Sequence, residues 1–315
     1  MELNLPISEM EQGMRVEGFY LLKDAAVKKA SNGKPYLNAS VMDSTGSVTV
    51  MMWDYSGTID EHDAGKIVKL RGDVSVYKNS NQITASRLRL ATEEDEVDLS
   101  RLVPIAPIDT DMRFQEVVHL VDSLEDAEYR AVAREMLRRH EESFRKIPAA
   151  KSVHHSFLSG LLMHTSNMLK TADFFAALYP EVVDRSLLIA GTLLHDLAKE
   201  REFAFSDIGM ATGYTVEGEL LGHLVMGAQE IAGVCAELGI SEEKSVLLQH
   251  LILSHHGNPE YGAAVIPMTA EAELLALIDR VDSRMEIYSE ILPTLQPNSF
   301  SARIYALEKK IFRHE

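Results

Sequence analysis

One cysteine and one tryptophan occur in 315 residues. A lone Cys235 rules out a disulfide within the chain, and its setting, Ile231-Ala232-Gly233-Val234-Cys235, suits a small core residue better than a nucleophile. No apolar run approaches the ~20 residues that span a bilayer. The opening Met1-Glu2-Leu3-Asn4-Leu5-Pro6 lacks the basic-then-apolar order of a secretory signal. A cytoplasmic protein with no membrane partner is expected. Internal repeats and low-complexity segments are missing. Positive charge is also scarce: 31 Lys and Arg face 48 Asp and Glu, for a formal net charge of −17. A body so acidic is not that of a free nucleic-acid binder. The imbalance is local, however. Residues 1–92 hold 11 basic and 11 acidic residues, so the whole of the −17 falls in residues 93–315.

Two kinds of pattern are present. Residues 1–92 read as strands. Tyr36 to Met42 alternates with Leu37, Ala39 and Val41 on one face, Asp43-Ser44-Thr45-Gly46 makes a turn, and Val48, Val50 and Met52 alternate in the return. Ile67 to Tyr77 is a long strand carrying a glycine, which predicts a bend or bulge. Lys78-Asn79-Ser80-Asn81 reads as a hairpin turn before Gln82 to Leu88. Several short strands, one of them bent, predict a small closed barrel. The order Asp43-Ser44-Thr45-Gly46, Trp53-Asp54, Gly65, Val74 to Tyr77 resembles the OB folds of nucleic-acid enzymes. Tyr36, Tyr77 and Trp53 are candidates to stack on bases. Lys34 and Lys78, with Lys28 and Lys29, are candidates to meet phosphates. The alternatives are a core position for Trp53 and a solvated rim for the lysines.

The charge run Glu93-Glu94-Asp95-Glu96-Val97-Asp98 and the proline-broken Val103-Pro104-Ile105-Ala106-Pro107 mark residues 93–111 as a linker. Residues 112–315 then read as an all-α bundle, so the expected fold class is two domains, a small all-β barrel followed by helices. Met112 to Arg145 gives two helices. The second carries Arg134, Arg138, Arg139, Arg145 and Lys146, with Lys151 after it. This cluster is either an RNA-facing surface or, because Glu135, Glu141 and Glu142 are interspersed, an ordinary solvated face.

Histidine is the residue that stands out. Eight of 12 fall between His154 and His256. The run Leu187 to Leu194 is apolar on every side when wrapped as a helix, so it is expected to be buried, and it delivers His195-Asp196 at its end. His164 lies in the stripe Phe157, Leu161, Met168, Phe175. His223 shares a helical face with Leu220 and Gly227. His255 and His256 end the run Val246 to Ser254, ahead of Gly257. Asp279 lies inside the apolar helix from Leu274 to Val281, with one more helix expected after it. A single inward histidine is usually a satisfied core residue. Four or five on successive apolar helices, with two inward aspartates, point to a metal site, because buried charge is tolerated when paired or bound to metal.

The order His164, His195-Asp196, His223, His255-His256, Asp279 resembles the HD-domain superfamily of metal-dependent phosphohydrolases over roughly residues 150–290. The resemblance implies a helical HD domain in residues 112–315, with His164, His195, Asp196 and Asp279 as the four signature ligands. It implies His223 and one of His255 or His256 as the further ligands of two-metal members, and Asp196 as a bridge between the ions. Lys199 completes the family's HD-x-x-K pattern. Ala198 stands where glycine is commoner, and alanine suits a helix better. Ser31-Asn32-Gly33-Lys34-Pro35-Tyr36, Thr215-Val216-Glu217-Gly218 and Leu253-Ser254-His255-His256-Gly257 extend the likeness over nearly the whole chain, to the YhaM family of 3′–5′ exoribonucleases. That resemblance implies phosphodiester hydrolysis in the HD domain, a preference for manganese, and a barrel that holds the single strand.

The chemistry agrees. A His/Asp set without thiolate suits Mn, and also Fe, Co, Ni or Zn. Two divalent ions can clamp the attacking and leaving oxygens of an in-line phosphoryl displacement. Asp196 and Lys199 are the expected catalytic residues, Lys199 neutralising charge on the phosphoryl oxygens; its alternative role is that of a cation at a helix C-terminus. His154 and His155 are expected as phosphate contacts rather than ligands. The expected partners are single-stranded RNA, single-stranded DNA after it, and a second copy of the chain. The rival reading is a nucleotide or cyclic-dinucleotide phosphohydrolase with a regulatory barrel. His256-Gly257-Asn258-Pro259-Glu260-Tyr261 stands in place of the glycine-rich tyrosine-proline motif of the cyclic-dinucleotide enzymes, which argues against that subgroup.

Overall fold

The computed structural model describes residues 2–77, 80–150, 157–206 and 208–315. The chain forms two compact units, residues 1–105 with the short segment 205–210, and residues 106–204 with 211–315. The division falls inside the stretch read as a linker.

The first unit is a closed barrel. Its strands are β1 (Glu2–Leu3), β2 (Arg15–Lys29), β3 (Pro35–Asp43), β4 (Gly46–Trp53), β5 (Ile67–Tyr77) and β6 (Ser80–Leu90). They lie in the order β1-β2-β3-β4-β6-β5, and β2 also pairs with β5, which closes the sheet. The length of β2 permits both pairings. Arg15 to Leu21 lie along β5 and Leu21 to Lys29 along β3, with a register shift between Leu22 and Asp24 where the strand bends. The alternation read from the sequence is the inward set: Leu37, Ala39, Val41, Val48 and Val50 are buried together with Leu70 and Ile83. Burying each large aliphatic side chain contributes ~1.5–3 kcal/mol. A slip of one residue would turn the whole set to water, so the register is firmly specified.

The glycine expected to mark a bulge does so. The pairing of β5 with β6 shifts between Arg71 and Gly72, and a Cβ on Gly72 would lie 2.6 Å from the Thr84 carbonyl oxygen. Ser80 and Asn81, read as part of the turn, belong to β6 and pair with Tyr77 and Val76. Lys78 and Asn79 lie outside the described residues. A one-turn helix, α1 (Leu99–Leu102), ends this unit, and its Arg101 carbonyl accepts hydrogen bonds from the Ser44 N–H and hydroxyl, both at 3.0 Å.

The second unit is helical: α2 (Thr110–Asp122), α3 (Ala127–Lys146), α4 (Gly160–Leu178), α5 (Arg185–Leu194), α6 (Lys199–Glu202), α7 (Val216–Leu238), α8 (Glu242–Ser254) and α9 (Ala270–Ile291). Asp109, Asp126, Asp184, Thr215 and Thr269 start five of them by accepting a hydrogen bond from a first-turn N–H. From Ser186 to Leu194 every residue of α5 is buried, as an uninterrupted apolar helix requires. Helices α3, α4, α8 and α9 pack around it. The C-terminal end of α5 is therefore inside the bundle, and the next two residues are His195 and Asp196.

Two readings of the helices are corrected. No further α-helix follows the one carrying Asp279 among the described residues: α9 continues to Ile291, and a small antiparallel ribbon comes after it. There Leu307 and Ile311 pack with Ile287. Leu220 does not share a face with His223 either. Gly222 interrupts α7 with φ +70° and ψ 161°, a conformation that only glycine takes at little cost. The break leaves Leu220 77% exposed and turns His223 inward. The basic cluster of α3 is largely paired with carboxylates, and its Lys151 lies outside the described residues. Arg134 pairs with Asp122, Arg138 and Arg139 with Glu135, Arg145 with Asp111, and Lys146 with Glu142.

Candidate metal centre

Four helix ends or faces converge around Asp196. α5 supplies His195 and Asp196 at its end, α4 supplies His164 four residues in, α8 ends in His255 and His256, and α7 supplies His223 just beyond its break. His164, His195, Asp196 and His255 are each at most 2% exposed. Ligand atoms of His164, His195 and Asp196 lie within 4.8 Å of one another, and so do those of His223, His255 and His256.

Asp196 faces both groups, one oxygen to each. Its Oδ2 lies 3.2 Å from His195 Nε2 and 3.8 Å from His164 Nε2. Its Oδ1 lies 3.5 Å from His223 Nε2 and 3.7 Å from His255 Nε2. Asp279, on α9, joins through His164, with Oδ1 3.3 Å from Nε2.

The histidines are held by their other nitrogens. His195 Nδ1 donates to the Thr192 carbonyl at 2.7 Å, and His255 Nδ1 to the Ile252 carbonyl at 2.8 Å. Both are three-residue reaches back into the helix each histidine ends. His164 Nδ1 meets Asp282 Oδ2 at 2.7 Å, and His223 Nδ1 meets Glu202 Oε1 at 2.9 Å. Glu202 also accepts the His223 backbone N–H, at 3.1 Å. A carbonyl or carboxylate on Nδ1 fixes the proton there and aims the Nε2 lone pair, the arrangement found around metal-bound histidine.

Burial alone would push the Asp196 carboxyl up, yet the charges of His195 and Lys199 hold it well below the usual carboxylate range. Burial would lower His164, but its hydrogen bonds to Asp279 and Asp282 raise it to about 9. Burial holds His255 well below the ordinary histidine value, helped by its histidine neighbours, and lowers His256 in the same way. Lys199 closes the site, with Nζ 2.6 Å from Asp196 Oδ2.

Three buried polar atoms here have no hydrogen-bond partner: Asp196 Oδ1, His223 Nε2 and His256 Nδ1. Asp196 Oδ1 and His223 Nε2 face each other at 3.5 Å, and the His256 ring packs against those of His223 and His255. An orphaned buried acceptor costs ~1–3 kcal/mol. Three within one pocket of histidines and a carboxylate are the donor set of a divalent ion, so the residues present fit a metal.

The expected site residues of the helical unit thus come together: His164, His195, Asp196, Lys199, His223, His255, His256 and Asp279. The residues that steer them were not read from the sequence. Asp282 is one turn beyond Asp279 on the same face of α9, a spacing that signals it. Glu202 meets a histidine 21 residues later across a broken helix, and no local pattern announces that. His154 and His155 lie outside the described residues.

Some of the barrel's candidates share a second location. A groove of about 570 Å³ is lined by Lys29, Asn32, Lys34, Tyr36, Trp53 and neighbouring residues. The Tyr36 and Trp53 rings pack at 5.1 Å, and Trp53 is 54% exposed rather than in the core. Lys34 pairs with Asp54 at 3.0 Å on the groove's rim. Tyr77, well exposed, is at the end of β5, and Lys78 lies outside the described residues.

The family profile of the HD domain matches residues 161–284, which include every candidate ligand. Among solved structures, the chain is similar to the second OB-fold domain of replication protein A from Methanococcus maripaludis. Identity is 14%, over 31% of this chain and 100% of that one, with a TM-score of 0.23. It is similar also to an OB domain from Methanosarcina mazei, at 18% identity over 31% of this chain and 94% of that one, TM-score 0.24. An OB domain from Thermoplasma acidophilum gives 11% identity over 31% and 93%, TM-score 0.25. The chain is a small closed barrel followed by a helical unit, residues 161–284 of which match the HD-domain profile.

Proposed function

We propose that this protein is a metal-dependent 3′–5′ exoribonuclease. It hydrolyses phosphodiester bonds of single-stranded RNA, with single-stranded DNA as a further substrate. The observation that carries the reading is Asp196, a buried carboxylate with one oxygen toward His164 and His195 and the other toward His223 and His255. His164, His195, Asp196 and Asp279 would hold one divalent ion, and His223, His255 and His256 a second, with Asp196 common to both and manganese the favoured metal. Bound there, divalent ions supply Lewis-acid stabilisation of the phosphoryl oxygens and make water a competent nucleophile near neutral pH.

The chain's own groups do the rest. Asp282, Glu202 and the Thr192 and Ile252 carbonyls keep the imidazoles of His164, His223, His195 and His255 each in one tautomer and one orientation. Lys199, drawn to Asp196 here, would neutralise charge as it builds on the scissile phosphate. In the barrel, Tyr36, Trp53 and Tyr77 stack on bases while Lys34 and Lys78 meet phosphates, which gives a grip indifferent to sequence. The 3′–5′ direction rests on the resemblance to the YhaM family.

The test is end-labelled single-stranded RNA and DNA incubated with the protein and Mn²⁺. A 5′ label should yield a descending ladder, and a 3′ label should appear at once as mononucleotide. Strands that stay intact while a nucleotide or cyclic dinucleotide is hydrolysed would install the rival reading, with the barrel regulatory.

A further inference from the structure

The outer face of β5 and β6 breaks a rule of sheet design. Lys69 stands directly opposite Arg89, and Arg71 directly opposite Arg87. Like charges in cross-strand pairs are destabilising, and here two such pairs are neighbours on one face. They are separated along β5 by two residues, about 6.6 Å. The register makes the crowding worse. Between the pairs Arg71–Arg87 and Gly72–Ala85, strand β6 carries one extra residue, Ser86, a bulge that brings Ser86 and Arg87 out side by side. Carboxylates answer only part of this charge. Glu17 lies 3.5 Å from Arg71, and Asp95 binds Arg89 through both oxygens at 2.6 and 2.8 Å. Lys69 lies 5.0 Å over the Phe19 ring, and neither Lys69 nor Arg87 has a carboxylate partner among the described residues.

The face is also concave. Two adjoining grooves, of about 460 and 230 Å³, share Arg71, Ser86 and Arg87. This basic channel has no residue in common with the groove at Tyr36 and Trp53. None of the residues lining the two grooves is aromatic, a lining that suits phosphates better than bases. We infer that the β5–β6 face is a second nucleic-acid site, which tracks the phosphodiester backbone of a strand too long for the Tyr36–Trp53 groove alone. Rows of cations two residues apart match successive phosphates of an extended strand, and such a polyanion relieves the repulsion that the bare sheet carries. The inference rests on the nuclease reading, which it extends from base stacking to backbone contacts for long substrates.

The experiment titrates full-length protein, held free of metal by chelator, into short and long fluorescent oligouridylates at several salt concentrations. Each phosphate contact on a single strand adds ~0.7 to the log–log salt slope. The double variant Lys69→Ala/Arg87→Ala should therefore lose ~1.4 of slope on the long strand and bind it several-fold more weakly. The short strand should be held as before. Ser86→Glu, which sets a carboxylate between the two grooves, should weaken the long strand in the same way. Melting temperature should stay level or rise in Lys69→Ala/Arg87→Ala, since like-charge opposition is removed, so misfolding cannot mimic the result. Unchanged slope and affinity in both variants, while Trp53→Ala still weakens binding, overturn the channel and leave the nuclease reading standing. A change in oligomeric mass without a change in strand binding also overturns it, and makes this face a protein interface. Failure of the wild-type protein to bind any strand removes the nucleic-acid reading and the channel with it.

Discussion

The barrel and the helical unit treat charge in opposite ways. In the barrel the interior is aliphatic, and the charged residues, balanced over residues 1–92, lie mainly on the outside. In the helical unit, which carries most of the net charge of −17, the centre of the bundle holds a carboxylate and four histidines. A fold built on aliphatic burial is indifferent to what it binds. A fold that buries Asp196 among imidazoles is stable only while those groups are paired or occupied. Binding is thus a surface property of the first unit and a core property of the second.

The sharpest break of that contrast is Asp196→Ala. It removes the carboxylate whose two oxygens face the two histidine sets. Metal content should fall for both ions, and turnover of RNA should drop by ~10³ or more, the loss expected when several kcal/mol of charge stabilisation vanish. Strand binding by the barrel should persist. Elemental analysis and a gel assay on one preparation check this; unchanged stoichiometry would take Asp196 out of the site.

A smaller effect separates the two sets. Glu202→Gln keeps the shape of the group that holds His223 Nδ1 but removes its charge. Loss of such an orienting carboxylate typically costs 10–100-fold in metal affinity. One ion should weaken by that factor while the ion at His164 and His195 is retained, which a metal titration followed by calorimetry resolves into two steps. Equal weakening of both would mean that Glu202 acts through the fold and not through His223.

How much of this was legible beforehand follows the same division. Barrel positions such as Leu37, Ala39 and Val41 were readable because a strand has a period of two and its inward face is apolar, so pattern and burial coincide. His195-Asp196 was readable because an all-apolar helix can end in charge only for a reason. Glu202 was not, because its meaning lies in a contact made after Gly222 breaks α7, and helical periodicity runs through that glycine as if nothing happened. The bulge at Ser86 was hidden for a similar reason. The glycine in β5 announced a distortion, but only the pairing shows that the extra residue lies in β6. Trp53 could be core or platform by composition; its outward position follows from the register that pairs it with Tyr36.

On the barrel side the effects are graded, not absolute. Tyr36→Ala and Trp53→Ala should each cost ~1–3 kcal/mol per base stacked, seen as a raised KM for RNA with kcat nearly kept. Hydrolysis of a small phosphodiester such as bis-p-nitrophenyl phosphate should be untouched. Equal losses on both substrates would show that the ring pair supports the fold and does not grip the strand.

The mildest test concerns a buried charge that the chemistry does not use. His140 on α3 lies between Glu200 at 2.8 Å and Glu230 at 2.9 Å. Burial would lower its pKa, but the two carboxylates raise it to about 9, and both glutamates are lowered in turn. The sign follows from linkage. A raised histidine contributes stability that is complete below its unfolded value of ~6.5 and is lost as pH rises through about 9. The lowered glutamates contribute stability that is present above their unfolded value of ~4.3 and is lost as pH falls below it. The cluster is therefore worth most between roughly pH 4.5 and 6.5. His140→Gln should lower the melting temperature by ~2–4 °C for each kcal/mol lost. The gap between wild type and variant should be widest in that window and close above pH 9.5. Taking the difference between the two proteins cancels the titration of the metal-centre histidines, which are common to both. Turnover at moderate temperature should be unchanged, since the charged partners of His140 among the described residues are Glu200 and Glu230, neither of them a candidate ligand. A melting gap that stays constant from pH 6 to pH 10 would mean that His140 is held neutral, and that its place between two glutamates is packing alone.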